Sequence, residues 1–393
     1  MNKFKTLIDN SELIEYLDSS KVNLKSPTNI QKLAIPKLNT DGNYIIHGKT
    51  GSGKSLAFLL PIFSKLKELE NNNFSANTAR PLCVVMAPTR ELTLQLFELA
   101  KEMSHFCKLR VRKLVGGDKG NKLDILFSSK MDILVCTPDR LLKAVKNKEL
   151  FLSDLQILAL DEADQLLENS FSESMTNLFE LIDLFKTKIY LISATSADNY
   201  AQALNTYFEN IKFETIGKGF ENKIGHNIRT FNINTNEDDK FHLLKSFIKK
   251  TNKSNGIVFT GNRHRAIKAY ELLSEQPDSP TYLIHKEMSI KERKESLEAF
   301  RKTGGIIIAT DILARGVDIT HLHWVLNFDL PSASEYYLHR TGRVGRAGKK
   351  GDVYNFITQH DLLRKKKINI ALTSQGRHDL KLPLVVAKQK KKK

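Results

Sequence analysis

Short runs rich in valine, isoleucine and leucine recur along the chain, each separated from the next by a stretch long enough for a helix. The first series is YIIHG (44–48), LCVVMAP (82–88), LRVRKLVGG (109–117), DILVCTP (132–138), ILALDEAD (157–164) and IYLISAT (189–195). The second is IRTFNIN (228–234), GIVFT (256–260), TYLIH (281–285), GIIIATD (305–311), WVLNF (324–328) and DVYNFIT (352–358). Between them lie amphipathic segments such as SLAFLLPIFSKLKELE (55–70) and KERKESLEAFRK (291–302). A strand with one wet face alternates apolar and polar residues. A run apolar at almost every position is buried on both faces, as in parallel strands covered by crossover helices. Two such series predict two α/β domains, each a mostly parallel sheet flanked by helices. The length of 393 residues suits two domains. The Gly-, Asn- and Lys-rich GKGFENKIGHN marks a linker at 217–227, which gives domains at 1–216 and 228–380. The segment 71–80 reads as a solvated loop, and 381–393, ending in KQKKKK, reads as a disordered basic tail.

The net charge is +17, from 61 Lys and Arg against 44 Asp and Glu, and it points to a polyanionic partner such as nucleic acid. Cys83, Cys107 and Cys136 show no CxxC spacing, and Cys83 and Cys136 sit inside apolar runs. They read as core thiols in a reducing compartment, so a cytoplasmic location is expected. No apolar run reaches the length of a membrane span, and the first residues mix acids with apolar side chains, unlike a signal or transit peptide.

GKTGSGKS (Gly48–Ser55) fits the phosphate-loop pattern and follows an apolar run. The backbone of Thr50, Gly51, Ser52 and Gly53 wraps phosphates, and the following helix adds the positive end of its dipole. Lys54 reaches the β- and γ-phosphates, and Ser55 is a ligand for Mg²⁺. Asp161 and Glu162 close another apolar run. Asp161 is placed to hold the same Mg²⁺, and Glu162 to orient and deprotonate an attacking water. The two segments together predict a nucleoside triphosphatase.

The acidic tetrapeptide of residues 161–164 belongs to an ordered series. SPTNIQKLAIP (26–36), GKTGSGKS (48–55), APTRELTLQ (87–95), Gly116-Gly117, TPDRLL (137–142), DEAD (161–164) and SAT (193–195) lie in the first half. IVFTGNRHRA (257–266), ATDILARGVDI (309–319) and YLHRTGRVGRAG (337–348) lie in the second. In order and spacing this series resembles the DEAD-box RNA helicases of helicase superfamily 2, over about residues 4–358. The resemblance implies two tandem RecA-like domains, ATP with Mg²⁺, and RNA as partner.

It also implies roles. Gln31 is the adenine-sensing residue of the Q motif (1–36), and its carboxamide suits adenine N6 and N7. Phe4 is placed to stack on the base, and Asp318 to bond the ribose. Arg343 and Arg346 are arginine fingers for the γ-phosphate. Asp164, Ser193 and Thr195 couple hydrolysis to domain movement. Pro88, Thr89, Arg90, Gly116, Gly117, Thr137, Arg140 and Thr310 are implied RNA contacts. Their hydroxyls, guanidiniums and bare backbone suit a sugar–phosphate chain gripped without sequence readout.

The chain departs from the family pattern at several positions. Asn23 replaces a glycine, with asparagine tolerant of the left-handed conformation. Asp139 replaces the glycine of TPGR and brings a negative charge toward the phosphate path. Gln165 replaces an arginine, and Ser55 a threonine. Lys286 and Ile290 replace glycine and glutamine, with His285, Met288 and Arg293 kept. The expected activity is ATP-driven local unwinding of short RNA duplexes or remodelling of RNA–protein complexes, by a monomer targeted by protein partners. Two rival readings are an ATP-gated RNA clamp that unwinds little and a translocating DNA helicase. With little chain outside the motifs, no separate RNA-binding domain is expected. Lys388 and Lys390–Lys393, with Arg364–Lys367 upstream, form a basic arm expected to tether RNA.

Overall fold

The computed structural model describes residues 3–48, 51–117, 120–167, 171–195, 197–219, 227–250, 255–275, 280–311, 319, 322–345, 350–374 and 381–383. Thr50, Asp318, Arg346, the side chain of Ile290 and the lysines from 388 onward lie outside them. The chain divides into two compact units, Met1–Asn222 and Lys223–Lys393, and the division falls inside the expected linker.

Each of the predicted apolar runs contains a strand. The first unit has β1 (Asn43–His47), β2 (Cys83–Met86), β3 (Val111–Leu114), β4 (Ile133–Cys136), β5 (Ile157–Asp161), β6 (Lys188–Ser193) and β7 (Phe213–Ile216). They form one sheet in the order β3-β4-β2-β5-β6-β1-β7. The second unit has β8 (Ile228–Asn234), β9 (Gly256–Phe259), β10 (Thr281–Ile284), β11 (Ile306–Ala309), β12 (Trp324–Asn327) and β13 (Gly351–Ile357). Their order is β10-β11-β9-β12-β13-β8. Pairing is parallel in both sheets.

The continuous apolar runs follow from two-sided burial. Ile46, Val85, Ala159 and Ile192 face one core cluster of the first unit, while Ile45, Val84, Leu160 and Leu191 face another. The second unit repeats the pattern, with Ile257, Ile307 and Val325 on one face and Val258, Ile308 and Leu326 on the other. Alternate residues therefore enter opposite helical layers, and both must be apolar. The three cysteines are buried and free, as core thiols. Among the described residues no helix is long and apolar enough to cross a membrane.

Strand β7 is the one the apolar pattern does not predict. It is an edge strand beside β1, and its central Glu214 and Thr215 are exposed, so nothing selects an apolar run. Directly after it, Gly217 has φ +77°, and a Cβ there would lie 2.4 Å from the His47 carbonyl oxygen. Only glycine lets the chain leave so close to β1.

Two expectations at the C-terminus are corrected. Arg364–Lys367 is not part of a free arm but lies within the helix Leu362–Ser374, and Lys365 is buried. Leu382 is also buried, and its backbone exchanges two hydrogen bonds of 2.7 and 2.8 Å with the Asn369 side chain. Leu382 thus anchors residues 381–383, which are not part of a free tail.

Candidate active site

Sheet order brings the nucleotide motifs together. β5, β6 and β1 are neighbours, so Asp161–Glu162, Ser193–Thr195 and the phosphate loop emerge side by side at the C-terminal edge of one sheet. Lys54 opens the helix Lys54–Asn71, and its ammonium donates to the Gly48 carbonyl across the loop. Burial lowers the pKa of Lys54, opposed by the negative charge of Asp161, Glu162 and Asp164. Burial pushes the Asp161 carboxyl up to about 6, with Lys54 pulling it back. The Glu162 N–H donates to Asp161 Oδ1 at 3.0 Å. Glu162 itself has φ 52° and ψ 50°, a left-handed conformation that costs a non-glycine residue about 1–3 kcal/mol. That strain sits on the residue assigned to the water. The Ser52 hydroxyl is buried without a hydrogen-bond partner among the described residues. A buried lysine, an unsatisfied hydroxyl and a turn of backbone ahead of a helix are the features of a polyphosphate cradle, set here beside an acid pair.

Gln31 joins the nucleotide loop from the other side. Thr28 caps the helix Asn29–Leu38 in a reciprocal box, and the Gln31 Oε1 accepts from the Thr28 N–H at 2.8 Å. Gln31 Nε2 donates to the Gly53 carbonyl at 3.1 Å. A carboxamide has two N–H donors and two lone pairs, so these two bonds leave one of each over. Gly53 has φ +91°, and a Cβ there would meet Gln31 Nε2 at 2.6 Å, so this contact requires glycine.

The residues expected to couple hydrolysis to movement are in direct contact. Thr195 Oγ1 donates to Asp164 Oδ2 at 2.7 Å, and the Thr195 N–H donates to Ser193 Oγ at 3.0 Å. All three side chains are buried.

The implied RNA contacts of the first unit follow β2, β3 and β4, which occupy the other half of the same edge. Thr89 caps the helix Arg90–Cys107, and Arg90 Nε and Nη1 are buried without a partner among the described residues. Gly117 is exposed, and a Cβ at Gly116 would meet nothing within 4 Å among the described residues, which leave that backbone open. Thr137 precedes the helix Pro138–Lys146, whose first turn carries Asp139 and Arg140. Asp139 is exposed and accepts from Ser174 Oγ at 2.6 Å, so its charge is engaged by the neighbouring helix Ser172–Phe179. Asn23 has φ 48°, as its replacement of a glycine predicts.

The stacking role of Phe4 is corrected. Its ring is 0% exposed and belongs to the core of the first unit, so it presents no open face to a base.

In the second unit Thr310 leaves β11, and Arg343 follows the helix Ser334–Thr341 and is buried. Between them stands Arg340, which is 0% exposed. Its Nε donates to Asp311 Oδ1 at 2.6 Å, and its Nη1 to Asn327 Oδ1 at 3.0 Å and the Asp329 carbonyl at 2.7 Å. Asp329 in turn pairs with Lys240 at 2.9 Å and Arg265 at 3.0 Å.

Residues 28–203 match the family model described as DEAD/DEAH box helicase, and residues 239–348 the helicase conserved C-terminal domain. The chain is 31% identical to the ATP-dependent RNA helicase SrmB of Haemophilus influenzae, over 92% of this chain and 81% of that protein. The chain belongs to the DEAD/DEAH box helicase family. It is also 30% identical to the ATP-dependent RNA helicase eIF4A of Candida albicans, over 89% of this chain and 86% of that protein. Among solved structures it resembles S. cerevisiae Dbp5 bound to RNA and ADP BeF3, with TM-score 0.79, 25% identity and coverage of 96% and 94% of the two chains. Mss116p bound to ssRNA and AMP-PNP gives TM-score 0.77 at 26% identity, over 93% of this chain and 76% of that one. The architecture is that of two tandem RecA-like domains.

In this DEAD-box chain the structure gathers Gln31, Gly53, Lys54, Asp161, Glu162, Asp164, Ser193 and Thr195 around one sheet edge. Sequence reasoning missed Thr28, which orients Gln31, and Arg340 with its asparagine partners. The signal for the second group was present: β8, β12 and β13 each carry an asparagine in an otherwise unfavourable place.

Proposed function

We propose that this chain is an ATP-dependent RNA helicase that uses ATP hydrolysis to separate short RNA duplexes or remodel RNA–protein complexes. The observation that carries the proposal is the division of one sheet edge into two halves. β5, β6 and β1 bear a phosphate loop, an acid pair and a buried Thr195–Asp164 bond, while β3 and β2 bear open backbone and two Arg90 donors without a partner among the described residues. One half suits a nucleoside triphosphate, the other a sugar–phosphate chain.

Gln31 selects adenine through its remaining donor and acceptor. The loop amides and Lys54 hold the phosphates. Ser55 and the buried carboxylate of Asp161 would hold Mg²⁺, an assignment that suits a carboxyl whose ionised form the protein interior penalises. The cation, when bound, neutralises phosphate charge and polarises the phosphorus–oxygen bonds. Glu162 accepts a proton from the water as its oxygen bonds the γ-phosphorus and the bond to the β-phosphate oxygen breaks. Arg343 and Arg346 are assigned to the charge that develops on the transferred group, and Asp318 to the ribose. Arg90, Gly116, Gly117, Thr137, Arg140 and Thr310 grip one strand by its backbone. Thr195 passes the state of the acid pair to the rest of the unit. The buried free cysteines favour action in a reducing, cytoplasmic setting. A clamp that hardly unwinds is not favoured, since the relatives are named as helicases.

The test is an ATPase assay beside strand displacement on a short RNA duplex. RNA-stimulated hydrolysis with ATP-dependent displacement is expected. Equal stimulation by single-stranded DNA, or hydrolysis without displacement, would overturn the helicase reading.

A further inference from the structure

In the second unit three asparagines stand in register across parallel strands: Asn327 of β12 opposite Asn355 of β13, and Asn355 opposite Asn232 of β8. Their side chains are bonded in a row. Asn327 Nδ2 donates to Asn355 Oδ1 at 2.8 Å, and Asn355 Nδ2 donates to Asn232 Oδ1 at 2.9 Å and to Tyr337 Oη at 3.2 Å. Asn327 and Asn355 are 0% exposed, whereas Asn232 is exposed.

The row has a direction, and Arg340 sets it. A guanidinium carries donors only, so Asn327 must turn its oxygen toward Arg340 Nη1. Its amide nitrogen then faces Asn355, whose oxygen must face back. Each buried amide is thereby fixed in one orientation. The two buried members of the row hold the helix Ser334–Thr341 at two points, Tyr337 Oη through Asn355 and Arg340 through Asn327. Arg343 follows directly, its N–H donating to the Arg340 carbonyl at 3.1 Å. Apolar residues at positions 327 and 355 would pack the same interface and avoid burying polar atoms. They would leave the helix free to slide along a smooth surface, whereas the bonded asparagine row ties it to one position.

We propose that Asn355, acting through Asn327 and Arg340, is a positioning residue that sets where Arg343 is presented. The inference rests on the assignment of Arg343 to the γ-phosphate. A displacement of about 1 Å at a group acting in a transition state costs up to about 10²-fold in rate, so the effect belongs in kcat.

The experiment compares Asn355→Leu, Asn355→Asp and Arg343→Ala in the full chain, each checked for folding by thermal melt. Asn355→Leu is expected to lower RNA-stimulated kcat about tenfold or more, with KM for ATP and half-saturating RNA within about twofold. Asn355→Asp keeps the acceptor that Asn327 requires, and exposed Asn232 can turn to meet it, so kcat should recover to within about threefold of the parent. Adding Asn355→Leu to Arg343→Ala should cost no more than about another twofold, because both act through one group. Should Asn355→Leu fail to fold, Asn355→Ser, too short to reach Asn327, is read in the same way. Normal kcat in the folded Asn355→Leu protein beside an inactive Arg343→Ala protein sinks the positioning role alone. So do multiplying losses in the double variant, or a failure of Asn355→Asp to recover. Full turnover by Arg343→Ala instead overturns the assignment of Arg343.

Discussion

Thr195 Oγ1 donates a 2.7 Å hydrogen bond to Asp164 Oδ2, tying the end of β6 to the residues that follow β5. Neither residue is assigned to touch the reacting phosphorus. The bond instead makes the position of one loop depend on the other, which is what a coupling contact requires.

Thr195→Ala removes this bond and leaves Asp164 short of one donor, at a cost of about 1.5–3 kcal/mol locally. Hydrolysis should stay within about threefold of the parent, while displacement of an RNA strand falls about tenfold or more. The measurement is the number of strands separated per ATP consumed. An unchanged ratio would show that the bond only stabilises the fold.

Glu162→Gln keeps the side-chain shape and removes the base. Turnover should fall about 10²-fold or more while ATP binding persists, since a positioned general base contributes about 10²–10⁴. Single-turnover hydrolysis together with equilibrium binding of a fluorescent ATP analogue separates the two effects. Near-normal hydrolysis would remove Glu162 from the chemistry.

Gln31 should make the enzyme prefer ATP to GTP, because guanine offers an acceptor where adenine offers its N6 donor. Gln31→Ala should raise KM for ATP about tenfold and erase the preference, with nucleotide-free RNA binding retained. Gly53→Ala should produce a similar loss, since its Cβ would meet Gln31 Nε2 at 2.6 Å from a backbone at φ +91°. Equal use of GTP and ATP by the parent protein would remove the role of Gln31.

Asp161 titrates within reach of ordinary buffers, its carboxyl pushed up to about 6 by burial. A proton and a divalent cation compete for the same carboxylate. Below about pH 6 the magnesium concentration for half-maximal ATPase should therefore rise, about tenfold per pH unit, and above about pH 7 it should level off. The folded chain holds this proton more tightly than the unfolded chain, whose carboxyl has the ordinary value of 3.8. The nucleotide-free protein should accordingly gain stability from this group as pH falls from about 6 toward about 4. A magnesium demand independent of pH between about 5 and 8 would exclude Asp161 as a ligand.

The strands were legible in the sequence because two-sided burial writes a continuous apolar run, as in IIIA of β11 and CVVM of β2. β7 was not, since an edge strand buries little and its Glu214 and Thr215 face outward. The phosphate loop and the acid pair were legible as motifs because phosphate and water chemistry tolerate few side chains. Phe4 was misread for the opposite reason: an aromatic ring suits a base and a core equally, and only packing decides. Each asparagine of the row was visible in its strand, but the row was not, because its members lie tens of residues apart and register alone brings them together.

The pairing of β7 with β1, closed by Gly217 against the His47 carbonyl, limits how the chain can be recombined. The strand that leads into the phosphate loop owes its outer neighbour to residues lying at the doorstep of the second unit. A chimera whose first unit is cut before Phe213 and joined to a second unit that starts at its own β8 discards that neighbour. β1 would then become a raw sheet edge, with unpaired backbone groups next to the phosphate loop and open to pairing with other chains. A crossover placed after Gly219 carries the seal along with the strand it protects.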